Sequence, residues 1–148
     1  MKTAFSYPRW EEIPNIDLYL DQVLLYLNQV CAPISPDKDK GLTASMVNNY
    51  VKHGYLTKPD KKKYQRQQIA RLIAITTLKS VFSIQEIAET LNTLQSQASS
   101  EQLYNAFVDY MNQGIDPANP IIQSSCQTVK LYHQTLALIH HTEEEVIQ

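Results

Sequence analysis

Apolar residues fall at Leu20, Val23, Leu24, Leu27, Val30 and Cys31, the three-and-four spacing of a helix that buries one face. Asn15, directly after Pro14, is placed to cap that helix, which ends before Pro33. Pro33 to Pro36 and Asp37 to Gly41 read as a loop. A shorter helix follows, with Thr43 as N-cap and Gly54 past its end. Met46, Val47, Tyr50 and Val51 make its inner stripe, and Ser45, Asn48, Asn49 and Lys52 its outer face. Thr57 to Tyr64 is a basic turn, too polar and too short for a helix. A third helix spans about Arg66 to Lys79, with Ile69, Leu72, Ile73 and Thr76 inward. Ser83 and Glu86 form a capping box that opens a fourth, carrying Ile84, Ile87, Ala88, Leu91 and Leu94. Ser99 and Gln102 cap a fifth, with Leu103, Tyr104, Phe107, Tyr110 and Met111, stopped at Gly114. Asn119 and Pro120 open the last, which runs past Ile139 toward the acidic Glu143 to Glu145, expected to fray. The fold class is therefore all-α, with at most a short hairpin within residues 56–64. The polar stretch Gln95 to Ser100 is the candidate boundary between residues 1–98 and a helical extension, 99–148.

The 148 residues, 43% hydrophobic and 19% charged, suffice for one core and show no compositional disorder. Three glycines argue against phosphate-cradling loops and tight-turned barrels. The longest apolar run, Val23 to Leu27, is far short of the ~18–20 residues of a membrane helix, so no membrane association is expected. The first ten residues lack the apolar core of a signal peptide. Cys31 and Cys126 have neither disulfide-framework nor zinc spacing, which fits reduced thiols and a cytoplasmic location.

Charge changes the picture more than composition does. The net charge is −2, yet Lys38 to Lys79 carries ten basic residues against Asp39 and Asp60, a local +8. Such asymmetry predicts a localised surface for a polyanion. The second helix supplies matching chemistry. Asparagine pairs bidentately with adenine, serine bonds bases or phosphates, and lysine neutralises phosphate. Thr43, Ser45, Asn48, Asn49 and Lys52 with Lys61, Lys62, Lys63, Tyr64 and Arg66 are the candidate contacts to double-stranded DNA.

The run Met46-Val-Asn-Asn-Tyr-Val-Lys-His-Gly-Tyr-Leu56, then Lys61-Lys-Lys-Tyr64, Ile69-Ala-Arg-Leu-Ile73 and Phe82-Ser-Ile-Gln-Glu-Ile87, resembles the DNA-binding domain of the mercury-resistance-regulator (MerR) family. The resemblance implies a winged helix-turn-helix core. Asn48, Asn49, Tyr50 and Lys52 would lie on the recognition helix, and Lys61 to Tyr64 on the wing. Asn48 and Asn49 stand where that family carries Arg and Tyr, and Asp60 stands at its wing glycine. The segment is also similar to a little-characterised bacterial family with an Asp-Leu-Tyr-x-Asp-Gln helix, here Asp17 to Gln22.

Other chemistry is thin. Tyr50 and Tyr55 fit core-edge packing better than base stacking. His133 and His140 share a helix face next to His141, without a carboxylate or cysteine at ligand spacing, so no metal is expected. Cys126 lies two turns from His133, beyond the reach of a catalytic dyad. Asp17 and Asp21 share a face without a pocket signal, and no nucleophile elbow, Walker loop or dinucleotide fingerprint is present. The expectation is a sequence-specific DNA-binding bacterial transcription regulator, not an enzyme, without a cofactor and with a homodimer through the C-terminal helices. The alternative is a helical protein-interaction adaptor that keeps the fold without DNA binding. RNA binding is weaker, because no stacking platform is present.

Overall fold

The computed structural model describes residues 6–31 and 41–147, with 142–147 described for their backbone alone. Among these residues there are six α-helices, a single 3-10 turn at Trp10–Glu12 and one pair of short strands. The strands and α-helices are β1 (Leu18–Tyr19), α1 (Leu20–Val30), α2 (Ala44–Lys52), β2 (Lys63–Tyr64), α3 (Arg66–Leu78), α4 (Ile84–Gln95), α5 (Ser100–Gln113) and α6 (Pro120–Ile147). The chain is mostly helical, as the periodicity predicts. The expected loop at residues 32–40 lies outside the described residues.

Helix α3 is the axis. Nine of its thirteen residues are buried, so it presents no wet face of any width. It packs against α1, α4, α5 and α6. The apolar spacing predicts an inward Thr76, but Thr77 is the threonine in the core. Thr77 Oγ1 lies 2.9 Å from the Ile73 carbonyl and 3.0 Å from the Tyr7 hydroxyl, hydrogen-bonded to both. Burial is the main cause that pushes the Tyr7 hydroxyl well above the ordinary phenol range.

The first helix starts later than its apolar pattern implies. Asn15 is exposed and caps nothing, because Leu18 and Tyr19 are extended and pair antiparallel with Tyr64 and Lys63. Leu18 and Tyr64 are both buried, so the ladder closes over apolar contact that a helix through residue 18 would forfeit. The N-terminal backbone amide of Tyr19 is satisfied by Gln22 Oε1 at 2.9 Å. The same device recurs, with Gln68 serving Gln65, Glu86 serving Ser83, and Gln102 serving Ser99. Thr43 accepts from Met46 N as expected, and Asn119 accepts from Ile121 and Ile122. Gly114 ends α5 at φ +71°, the left-handed cap that glycine adopts at least cost. Helix α6 spans Pro120–Ile147, so Glu143 to Glu145 lie in its last turns.

Residues 7–12 lie along α5. Asn112 holds Tyr7 by two bonds: its Oδ1 accepts from the Tyr7 amide (2.8 Å) and its Nδ2 donates to the Tyr7 carbonyl (3.0 Å). Asn105 accepts from Trp10 N, Tyr104 donates to the Pro8 carbonyl, and Arg9 pairs with Asp109. Tyr7 meets Phe107 edge-on at 5.4 Å. One hydrophobic cluster therefore runs from Tyr7 through α1–α5 to Ile122, Cys126 and Val129 of α6. The mostly exposed stretch 95–100 joins α4 and α5, which both contribute to that cluster.

Burial pushes both the Cys31 and the Cys126 thiols up to about 12, which makes them inert core residues. His133 of α6 lies 3.5 Å from Ser80 Oγ, and burial lowers its pKa.

Two outcomes follow from this packing. Asn112→Ala leaves the Tyr7 amide and carbonyl without their partners and is expected to cost about 1–3 kcal/mol in urea unfolding. The folded protein disfavours protonated His133, so the unfolded chain binds that proton more readily. Stability is expected to fall as pH drops below about 6.5, and His133→Gln to flatten that limb of the pH–Tm curve.

Candidate nucleic-acid interface

Helix α2 exists as a surface helix because its apolar residues occupy one stripe. Val47 and Tyr50 are buried and Met46 and Val51 half-buried, whereas Ser45, Asn48, Asn49 and Lys52 are all exposed. The outer face is hydroxyl, amide and ammonium, the chemistry that pairs with base edges and phosphates. Thr43 is also exposed, with its side-chain oxygen engaged in the cap.

Three positioning side chains escape the sequence pattern. Asn28 of α1 clamps Leu42: its Oδ1 accepts from the Leu42 amide (2.8 Å) and its Nδ2 donates to the Leu42 carbonyl (3.0 Å). Gly41 lets the backbone come this close, because a Cβ there would stand 2.6 Å from Asn28 Oδ1. At the other end, Arg71 of α3 donates through Nε to the Tyr55 carbonyl at 2.7 Å and through Nη2 to Asn92 at 3.1 Å. Burial lowers the Arg71 pKa. Gln68 donates to the carbonyls of Thr57 and Lys58 (3.0 and 3.3 Å). These clamps hold the polypeptide on both sides of α2. Gln68 sits three residues after Gln65, a capping-box spacing visible in the sequence, but its grip on residues 57–58 is purely tertiary.

The basic turn is a two-residue hairpin. Asp60 and Lys63 exchange both backbone bonds, at 2.9 and 3.1 Å. Lys61 and Lys62 occupy the tip with φ +52° and +68°. Two positive φ values in a two-residue loop are the type I′ pattern, which prefers Asn-Gly. Lysine pays a steric cost there that glycine does not.

The structure separates the ten candidates. Ser45, Asn48, Asn49, Lys52, Lys61 and Lys62 are exposed side chains on α2 or the hairpin tip. Lys63 is half-buried, its Nζ 5.1 Å above the Tyr19 ring across the ladder. Arg66 lies over Trp10, 5.8 Å from the ring centroid, and its buried Nε finds no partner among the described residues. Tyr64 is only 2% exposed. It is corrected from a contact residue to a core anchor, because its ring closes the strand pair against Leu18. Tyr50 is likewise buried, and Tyr55 stacks on His53 at 5.8 Å.

These features define a helical domain with a short strand ladder and a basic hairpin between its second and third helices. The chain belongs to the family described as a domain of unknown function, DUF1836, whose model matches residues 8–107. The match begins at Pro8, which is docked on α5, and ends at Phe107 in α5 itself. Neither a curated protein nor a solved structure matches the chain. No helix among the described residues is long and apolar enough to cross a membrane.

Relief of the hairpin strain gives a direct test of the turn. Lys61→Asn/Lys62→Gly is expected to raise stability by about 1–2 kcal/mol, read as a higher urea midpoint with unchanged slope. Equal or lower stability would mean that the lysines do not sit in the left-handed region.

Proposed function

We propose that this protein binds double-stranded DNA in a sequence-specific manner as a bacterial transcription regulator in the cytoplasm. In this reading, β1 to α4 form a MerR-like winged helix-turn-helix core. The observation that carries it is the pairing of α2, which exposes Ser45, Asn48, Asn49 and Lys52 on one face, with a hairpin that projects Lys61 and Lys62 nine and ten residues further on. Helix α2 reads base edges through Ser45, Asn48 and Asn49. Lys52, Lys61 and Lys62 neutralise phosphates and set register. Lys63 and Arg66 act at the margin, each already placed over an aromatic ring.

A single module of this size covers a modest DNA surface, so the reading includes a homodimer with half-sites about 34–36 Å apart. Exposed Leu131, Leu138 and Ile139 on α6 support a contact between C-terminal helices. The α2–hairpin contact set is unchanged by the alternative, a protein-interaction adaptor, in which an acidic partner meets the same lysines.

The strain-relieved hairpin also tests this reading, because its loss of charge does not come with loss of fold. Fluorescence anisotropy with duplex DNA over a salt series is expected to give wild type a log–log slope of about −4 to −7. Lys61→Asn/Lys62→Gly, two charges fewer, should reduce its magnitude by about 2. An unchanged slope would remove the hairpin from the contact, and no binding at low salt would leave the adaptor reading in its place.

A further inference from the structure

Helices α3, α4, α5 and α6 enclose a half-open cavity of about 80 Å³. Its wall is chiefly apolar, including Ala74, Leu91, Leu94, Leu103 and Phe107. Arg71 is part of the same wall. Gln67 and Ser100, which also line it, are hydrogen-bonded to each other at 3.1 Å and tie α3 to α5 there.

Arg71 is an unusual group for that place. Its Nε and Nη2 are occupied by the neutral acceptors Tyr55 O and Asn92 Oδ1, and Nη1 takes no part in either bond. Among the described residues the carboxylate pairs are Arg9 with Glu11 and with Asp109, and none of these residues gives Arg71 a counter-ion. A partly desolvated cation beside an apolar hollow favours an anion with an apolar body. Guanidinium suits a carboxylate through its planar fork.

We propose that this cavity binds a short aliphatic carboxylate, its hydrocarbon part between α3 and α5 and its carboxylate on Arg71. Size limits the class. A dry cavity of about 150 Å³ takes up benzene, so this one holds roughly three or four carbons. Branched four- and five-carbon acids fit, with the head group at the half-open side. Long-chain acids do not fit. Arg71 also grips the Tyr55 carbonyl just after α2, so an anion on its guanidinium acts on the group that holds that turn.

The test uses the full chain in an amide-resolved NMR titration with isovalerate and with isovaleramide, its neutral isostere. Isovalerate is expected to saturate with a Kd between about 0.1 and 10 mM, and the amide to bind at least about tenfold more weakly. Arg71→Gln should bring acid and amide to equal affinity. Ala74→Leu, which fills the hollow, should abolish the shifts of both. Equal binding of acid and amide by wild type overturns the proposal. So does a response confined to Lys61 to Lys63, or no saturation by about 50 mM. If Ala74→Leu does not fold, the acid-to-amide ratio in wild type and in Arg71→Gln still decides. No nucleic acid is present, so the result stands apart from the DNA reading.

Discussion

Everything else in this molecule is arranged around the burial of α3. Ile69, Leu72, Ile73 and Ile75 are at most 1% exposed, and each contributes about 1.5–3 kcal/mol by leaving water. Together that is about 6–12 kcal/mol, comparable with the whole net stability of a small domain. A helix apolar on nearly every side cannot be covered by one neighbour. It needs α1, α4, α5 and α6 around it, which is why residues on both sides of the 95–100 connection share one cluster. The polar residues on the inner sides of α3 are put to use. Buried Thr77 is hydrogen-bonded to the Tyr7 hydroxyl, buried Gln68 holds residues 57–58, and half-buried Arg71 holds the turn after α2.

The candidate interface is thus suspended from the core by polar clamps. Asn28 and Gly41 set the backbone ahead of α2, and Arg71 and Gln68 set it behind. A surface helix of nine residues is marginal alone, so such anchoring and the buried stripe of Val47 and Tyr50 hold its polar face in place. The hairpin follows the same logic. Tyr64 is buried so that Lys61 and Lys62 project, and the ladder to Leu18 and Tyr19 fixes the hairpin's base. Lysines in the left-handed region are a local conflict between propensity and fold, the kind that concentrates at functional surfaces.

Much of the candidate site was legible from residue type and spacing. The period of the α2 stripe separated Ser45, Asn48, Asn49 and Lys52 from the buried residues, because one exposed face and one buried face is a local property of a short helix. Thr43, Ser83 and Ser99 showed as caps because their side chains act within three residues. Tyr64 was not legible. A tyrosine after three lysines has the composition of a wing contact, and only the position of Leu18, 46 residues earlier in the chain, shows that its ring is inside.

The sequence by itself determined the helical class, most helix limits, the polar face of α2 and the concentration of positive charge between α2 and α3. Those features depend on neighbours one to four positions apart, where periodicity, caps and glycine act. Tertiary structure alone decided that Leu18 and Tyr19 are strand instead of helix. It also decided that residues 7–12 lie on α5, and that Arg71 lines a hollow while it holds the Tyr55 carbonyl. Each of these joins residues far apart in the chain, and the physical reason is shared. Apolar area and backbone hydrogen bonds are satisfied by whichever segment reaches them once the core closes, and that geometry is not written in any local pattern.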